Sequence, residues 1–221
     1  MECRNCGAGA PRRAHFCPQC EHILHLSRHG DYFIFFGLPR RLTIDPADLE
    51  ERFRTLSRQF HPDFFYNATP AERLASLERS SYLNDAYRVL RQPIARVEYL
   101  LGLEGLGPTK GDEGHAKVPP ALLEEVFSLN EELDDIRERR ESGADTEPLR
   151  RRLDASRAAI ESKRDAHDRQ LHEWSAAWDD QHQQAALEAL RNLVLERNYL
   201  MNLLAAIDRE LAGLGGGESR P

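Results

Sequence analysis

Apolar side chains recur along the chain at spacings of three and four residues, the period of an α-helix with one buried face. The first clear stripe consists of Leu49, Phe53, Leu56 and Phe60, and similar stripes follow through most of the sequence. Strict alternation of apolar and polar residues, which would predict strands, is nearly absent. The pattern therefore predicts an all-α fold.

Capping residues and prolines predict where the first of these helices begins and ends. Asp45 before Pro46 is typical of an N-cap followed by the first helical residue. The helix must end before Pro62, because the residue that precedes a proline is pushed out of the α region.

The next helix begins with a capping-box pattern, since Thr69 is followed three residues later by Glu72. It is expected to reach about Arg91. A short helix then begins near Pro93 and stops at Gly102. Together with the first helix, these elements predict a compact helical region before residue 104.

A glycine-rich segment, 104–118, separates this region from a second one. Pro119-Pro120 opens a helix with heptad spacing, whose apolar positions are Leu122, Val126, Leu129, Leu133 and Ile136. Two longer amphipathic stripes follow, the last expected to start at a capping box of Asp180 and Gln183. Three long helices with short loops predict a three-helix bundle over 119–213, and the tail 214–221 is predicted to be disordered.

Charge is distributed unevenly along the 221 residues, whose formal net charge is −7. Residues 119–213 contain 13 basic and 21 acidic residues, a net of −8. Residues 31–103 contain ten of each and are neutral, and residues 1–30 have four arginines and two glutamates, a net of +2. A net acidic chain is a poor non-specific binder of nucleic acid.

Several classes of protein are disfavoured by what the sequence does not contain. No stretch approaches the roughly 18 apolar residues of a membrane span. No glycine-rich phosphate loop, Gly-x-Ser-x-Gly elbow or HExxH motif is present, so we predict that the protein is not an enzyme. The first residues lack a secretion signal, and no Arg/Ser-rich transit segment precedes Cys3, so the bacterial cytoplasm is expected, with a processed mitochondrial form as the alternative.

All four cysteines lie within the first 20 residues, as Cys3-x2-Cys6 and Cys17-x2-Cys20. Two such pairs bring four thiolates to one tetrahedral point, which suits structural Zn²⁺. Two disulfides, a redox pair and an iron–sulfur cluster are the alternatives. Gly7 suits the tight turn of a knuckle. Four histidines nearby are interpreted as solvated, because four thiolates complete the shell: His15, His22, His25 and His29.

His61-Pro62-Asp63 lies between the first two predicted helices, and by itself this tripeptide predicts only an interhelical turn. Further motifs lie before and after the tripeptide in the sequence. Phe36-Gly37-Leu38-Pro39 precedes it, and Asn84-Asp85-Ala86-Tyr87 and Glu98-Tyr99-Leu100-Leu101 follow it. The combination resembles a J domain and, with the Cys17-Pro18-Gln19-Cys20 knuckle, is similar to the zinc-bearing branch of the HscB family of iron–sulfur co-chaperones. The resemblance spans about residues 3–213.

In this family the J domain stimulates the ATPase of a DnaK-type, HscA-like chaperone, and the C-terminal bundle contacts an IscU-like iron–sulfur scaffold protein. The resemblance implies that His61, Pro62 and Asp63 form the trigger, while Arg54 and Arg58 steer the domain to an acidic chaperone face. It implies a scaffold-binding patch at five positions, namely Leu123, Phe127, Glu131, Asp135 and Tyr199. Glu124 and Ser128 depart from the family pattern, where methionine and glutamate are common.

The residue pattern and the resemblance together predict five segments: a tetracysteine zinc module (1–30), a J domain (31–103), a linker (104–118), a scaffold-binding bundle (119–213) and a disordered tail (214–221). A chelator is expected to unfold about the first 25 residues and to leave most of the helicity. The predicted partners are the chaperone and the scaffold, without nucleic acid or membrane. The alternative is a zinc-ribbon nucleic-acid or transcription adaptor with a helical dimerisation domain.

Overall fold

The structure is a computed structural model that describes residues 2–11, 13–25, 30–107, 120–142 and 147–215. The chain divides into two compact units, Met1–Leu103 and Glu104–Pro221. The described residues form seven α-helices, one 3-10 turn and no strand longer than an isolated bridge. The all-α prediction is therefore confirmed. The predicted linker and tail lie almost wholly outside the described residues.

The first unit contains four helices and the 3-10 turn. They are α1 (Tyr32–Phe36), α2 (Pro46–Phe60), the turn Pro62–Phe65, α3 (Pro70–Arg91) and α4 (Pro93–Leu103). Asp45 caps α2 by accepting a hydrogen bond from the Ala47 N–H, and Thr69 and Glu72 form the predicted capping box of α3. The starts of these two helices were predictable from the sequence, because each capping interaction involves residues within one turn of the helix start.

The helices α2 and α3 form an antiparallel hairpin around an apolar core. The Phe53 and Tyr87 rings stack at 4.1 Å, and near the turn Ser76 and Ser80 both donate to the Phe60 carbonyl. Helix α1 packs beside this pair, and its first residue, Tyr32, stacks on Tyr99 of α4 at 4.3 Å. The hairpin therefore presents the 3-10 turn at one end.

The second unit contains α5 (Pro120–Glu141), α6 (Glu147–Gln181) and α7 (Gln184–Gly215). Arg157 of α6 pairs with Asp208 of α7, and the later Asp168 of α6 pairs with the earlier Arg197 of α7, so these two helices run antiparallel. Buried leucines and isoleucines from all three helices form a common core, including Leu133, Ile136, Leu149, Leu153, Leu200 and Ile207. This is the predicted three-helix bundle.

The boundary between α6 and α7 differs from the prediction. Asp180 lies inside α6, which continues to Gln181, and α7 begins at Gln184. The chain reverses at His182, whose φ of 52° is in the left-handed region. Asp180 followed by Gln183 resembles a capping box, but Trp178 and Asp179 are buried on α6 and the His182 N–H donates to the Trp178 carbonyl at 2.8 Å, so helical hydrogen bonding continues past Asp180. Within the described residues, no helix has the length and apolar character needed to cross a membrane.

Candidate functional site

The His61-Pro62-Asp63 sequence forms the connection between α2 and α3. His61 ends α2, and Pro62 fills the first position of the 3-10 turn, where a missing N–H costs nothing. The Asp63 side chain is 87% exposed and that of His61 is 53% exposed. The turn therefore presents a carboxylate and an imidazole side by side to solvent.

Arg54 and Arg58 lie one turn apart on the exposed side of α2. Arg54 forms an ion pair with Glu50, four residues earlier on the same helix. Arg58 forms no hydrogen bond or ion pair with any residue that the structure describes. Because Arg54 is already partly neutralised, Arg58 is the more available positive charge beside the turn.

Four exposed apolar side chains lie on the 3-10 turn, its C-cap and the first half of α3, and sequence analysis did not identify them. Phe64 and Tyr66 project from the 3-10 turn, and Leu74 and Leu77 from the start of α3. All four are more than half exposed. A group of large exposed apolar side chains marks an interaction surface more often than a single exposed apolar side chain does. The sequence did contain a signal for two of them. Leu74 and Leu77 are not on the apolar stripe of α3 that includes Leu83, Ala86 and Leu90, so their side chains could be expected to face solvent.

The four cysteines lie in two turns of similar geometry. In the first, the Cys3 N–H donates to the Ala8 carbonyl, and in the second the Cys17 N–H donates to the His22 carbonyl. Gly7 follows the first pair with a φ of 72°, which confirms the turn predicted there. Glu21 takes the equivalent place in the second turn with a φ of 58°, a conformation that a side chain disfavours.

The four sulfur atoms all lie within 4.8 Å of one another. Cys3 and Cys20 are 3.6 Å apart at sulfur, and so are Cys6 and Cys17, which is far beyond a disulfide bond of about 2.05 Å. Tetrahedral zinc with Zn–S distances of about 2.3 Å would place its sulfurs about 3.8 Å apart. The four cysteines therefore form one group that could hold a metal ion, and the disulfide interpretation does not fit.

The surroundings of Cys20 favour its thiolate. The His22 backbone N–H lowers the pKa of Cys20 to about 6, with help from the Asn5 amide 3.6 Å away. The Ala8 N–H acts to lower the pKa of Cys6, but neighbouring thiols and burial outweigh it and raise that pKa to about 12. Because a metal binds thiolates, the backbone N–H groups and Asn5 prepare one edge of the site for it.

The interpretation of His15 as a solvated residue is wrong. Its ring packs edge-on against Phe35 and Phe60, with centroids 4.9 and 5.0 Å away, and its Nδ1 lies 2.7 Å from an Arg79 nitrogen. Burial, and then the charge of Arg79, lower the pKa of His15 to about 4. The sequence placed His15 beside the cysteines but did not show that the cysteine segment packs against the helical hairpin.

The predicted scaffold-binding residues are spread over α5 and α7. Phe127 is 69% exposed, and Glu131, one turn later, is exposed without an ion pair among the described residues. Asp135 is half-buried and bonded to Arg139, and Tyr199 packs partly against the bundle core. The side chain of Leu123 lies outside the described residues.

Helix α5 contains several acidic residues, and three of those whose side chains the structure describes are paired with arginines. Glu132 accepts from Arg152 of α6, and Asp134 pairs with Arg137 of its own helix. With Asp135 also paired, Glu131 is the acidic side chain of the predicted scaffold-binding patch that is free within the part of the chain the structure describes. The arginines of α6 could not be aligned with α5 from sequence alone.

Comparison with solved structures finds the same architecture in co-chaperones. The crystal structure of the human co-chaperone protein HscB is similar with a TM-score of 0.69 and 26% identity, over 95% of this chain and 98% of that one. The chaperone HscB from Vibrio cholerae is similar with a TM-score of 0.59 and 28% identity, over 83% of this chain and 99% of that one. No protein-family model matches the sequence. The resemblance inferred from the sequence is confirmed: the chain has the fold of the HscB co-chaperones and includes a tetracysteine module.

Proposed function

We propose that this protein is a co-chaperone that stimulates the ATPase of a DnaK-type, HscA-like chaperone and delivers an IscU-like scaffold protein to it during iron–sulfur cluster biogenesis. The observation that supports this best is the exposed His61-Pro62-Asp63 turn at the end of the α2–α3 hairpin, in a chain whose structural neighbours are HscB proteins.

The chaperone would bind the exposed turn and the adjoining face of α2. The Asp63 side chain is almost fully exposed, and among the described residues its carboxylate lies near His61 Nδ1, at 3.5 Å. Its carboxylate is therefore free to accept charge-assisted hydrogen bonds from a chaperone arginine, each worth about 1.5–3 kcal/mol. Arg58 and, more weakly, Arg54 would guide the encounter with an acidic surface. Phe64 and Leu74 would add apolar contact.

The scaffold protein would bind the exposed face of α5. Phe127 and Glu131 are four residues apart on one helical face and form a neighbouring apolar and acidic pair. Leu123, one turn earlier, would extend the apolar part, while Asp135 and Tyr199 would lie at the edge. A buried aromatic anchor surrounded by polar contacts is the usual source of affinity in such interfaces.

The tetracysteine group would hold structural Zn²⁺. Four thiolates complete the tetrahedral shell, so Cys3, Cys6, Cys17 and Cys20 would leave no open position for a substrate. A segment of about 25 residues is too small to bury a core of its own, and metal binding would supply its folding free energy. In this proposal the protein does no covalent chemistry, and hydrolysis of ATP belongs to the chaperone.

Steady-state ATPase of the HscA-like chaperone, measured with and without the scaffold, tests the proposal. Wild-type protein is expected to raise the rate, and Asp63→Asn to reduce that stimulation at least tenfold. Asp85→Asn is the matched control, because Asp85 is an exposed aspartate of α3 that pairs with Arg88. No stimulation by wild-type protein, or equal stimulation by both variants, would contradict the proposal.

A further inference from the structure

Arg79 of α3 is buried against the cysteine segment although it has no acidic partner there. Its residue exposure is 2%, and burial lowers its pKa to about 10. Its Nε donates to the Leu24 carbonyl at 2.6 Å, one terminal nitrogen is 2.7 Å from His15 Nδ1, and the other donates to the His25 carbonyl. All of these partners belong to the first 25 residues.

The same guanidinium also lies over two aromatic rings of the hairpin unit. Its central carbon is 5.5 Å from the Phe60 ring centroid and 5.9 Å from that of Phe35. Burying a charge is costly unless hydrogen bonds and aromatic faces replace the lost water. The two rings belong to α1 and α2, but the hydrogen-bonding partners of Arg79 exist only while the cysteine segment is folded against α3.

Phe60, the last residue of α2, contacts both the cysteine segment and α3. It is completely buried. Its ring packs against those of His15 and Phe16, from the cysteine segment. Its carbonyl accepts hydrogen bonds of 2.7 and 2.8 Å from two serines of α3, Ser76 and Ser80. The next residue in the chain is His61, which caps the exposed turn.

We propose that Arg79 and Phe60 are positioning residues through which metal binding at the four cysteines fixes the end of α2 and the His61–Asp63 turn. Loss of the metal would unfold the two cysteine turns, remove the partners of Arg79 and expose the Phe60 ring. The consequence for the chaperone rests on the proposed function, whereas the coupling between metal site and hairpin does not.

Coupling of this kind is reciprocal, because two equilibria that stabilise each other do so by the same factor. A variant that weakens the contact between α3 and the cysteine segment must therefore weaken metal binding, although Arg79 is not a ligand. Arg79→Met removes the three polar contacts and keeps an unbranched stem with good helix propensity. Arg88→Met is the matched control, because Arg88 is an exposed arginine of the same helix.

The first test measures Zn²⁺ affinity of the full chain by competition with a chromophoric chelator, and the absorption spectrum of bound Co²⁺. Arg79→Met is expected to lower the affinity about tenfold while the Co²⁺ spectrum stays that of four thiolates. Arg79→Lys, which can keep part of the bonding, should lose less, and Arg88→Met should match wild type. Wild-type affinity in Arg79→Met would overturn the proposal.

The second test needs no variant and so does not depend on whether Arg79→Met folds. Hydrogen exchange of the wild-type chain is compared with Zn²⁺ bound and after chelation. Exchange is expected to accelerate at residues 56–66, the end of α2 and the turn, while amides of α6 serve as the unchanged internal reference. Equal exchange at 56–66 in both states would overturn the proposal.

Chaperone assays separate this inference from the proposed function. If the function is right, Arg79→Met should stimulate the ATPase with a half-maximal concentration raised several-fold, and excess Zn²⁺ should reverse part of the loss. If wild-type protein does not stimulate any ATPase, the proposed function fails. The affinity and exchange measurements would still decide the coupling.

Discussion

The imidazole Nδ1 of His61 accepts a hydrogen bond from the backbone N–H of Asp63 at 3.3 Å, and lies 3.5 Å from the Asp63 carboxylate. His61 is therefore the N-cap of the 3-10 turn that presents Asp63. Its other ring nitrogen has no part in that bond. One side chain thus has two separable tasks, holding the turn and offering a contact to a partner.

Two substitutions separate these tasks. Asn is a good N-cap, so His61→Asn should keep the turn and thermal stability, whereas His61→Gln should lose up to about 1 kcal/mol. If the chaperone contacts the imidazole as proposed, both variants should stimulate the ATPase at least tenfold less than wild type. Full stimulation by His61→Asn would show that His61 acts only as a cap. Thermal unfolding measures how well each variant holds the turn, and the ATPase assay measures how well it stimulates the chaperone.

Gly7 and Glu21 occupy equivalent places after the two cysteine pairs, and both have left-handed backbone conformations. A Cβ added to Gly7 would meet no atom within 4 Å, so Gly7→Ala tests backbone conformation alone. The expected cost is about 1–2 kcal/mol, which lowers Zn²⁺ affinity by roughly 5- to 30-fold. The affinity is measured by chelator competition.

Glu21→Gly is the converse substitution, since glycine adopts this conformation freely. The backbone hydrogen bond from residue 21 to the Cys17 carbonyl is kept. Affinity should therefore equal that of the wild-type chain or exceed it by a few-fold. Unchanged affinity in Gly7→Ala, or a large loss in Glu21→Gly, would contradict the assignment of strain to these two positions.

Local signals explain why so much of the fold was predictable. The caps Asp45 and Thr69 act within one turn of the chain, and the helix ends they predict are those observed. The cysteine spacing predicted one four-thiolate group, which the sulfur positions bear out. Long-range packing was not predictable in this way. Arg79 falls on the apolar stripe of α3, four residues before Leu83, and a charged residue at a core position was the signal that was missed.

Arg137 joins α5 to α7 by donating twice to Glu210, at 2.8 Å from both Nε and a terminal nitrogen. The Glu210 side chain is only 11% exposed. Glu210→Ala should lower the free energy of unfolding by about 1–3 kcal/mol, because it removes the charge-assisted hydrogen bonds that a nearly buried carboxylate accepts across the two helices, while Arg137 keeps its pair with Asp134. Asp208→Ala is the control, since its pair with Arg157 is exposed and should be worth about 0–1 kcal/mol. Urea unfolding of both variants measures the difference, and equal losses would contradict it.

Phe127 and Ile136 are both apolar residues of α5, but they differ completely in exposure, at 69% and 0%. Phe127→Ala removes little buried surface within the chain, so its stability should change by less than about 0.5 kcal/mol. If Phe127 anchors the scaffold protein as proposed, its loss should weaken scaffold binding at least tenfold. Isothermal titration with the IscU-like scaffold measures the affinity.

Ile136→Ala should behave in the opposite way, with a loss of about 2–5 kcal/mol in stability because it opens a cavity in the bundle core. Trp174→Ala provides a second control, since Trp174 is an exposed aromatic residue on α6 and not on the proposed patch. Below the unfolding transition, Trp174→Ala should bind the scaffold with wild-type affinity. If Phe127→Ala also binds normally, the exposed face of α5 is not the scaffold site. If Trp174→Ala weakens binding as much as Phe127→Ala, the patch extends beyond α5 and α7.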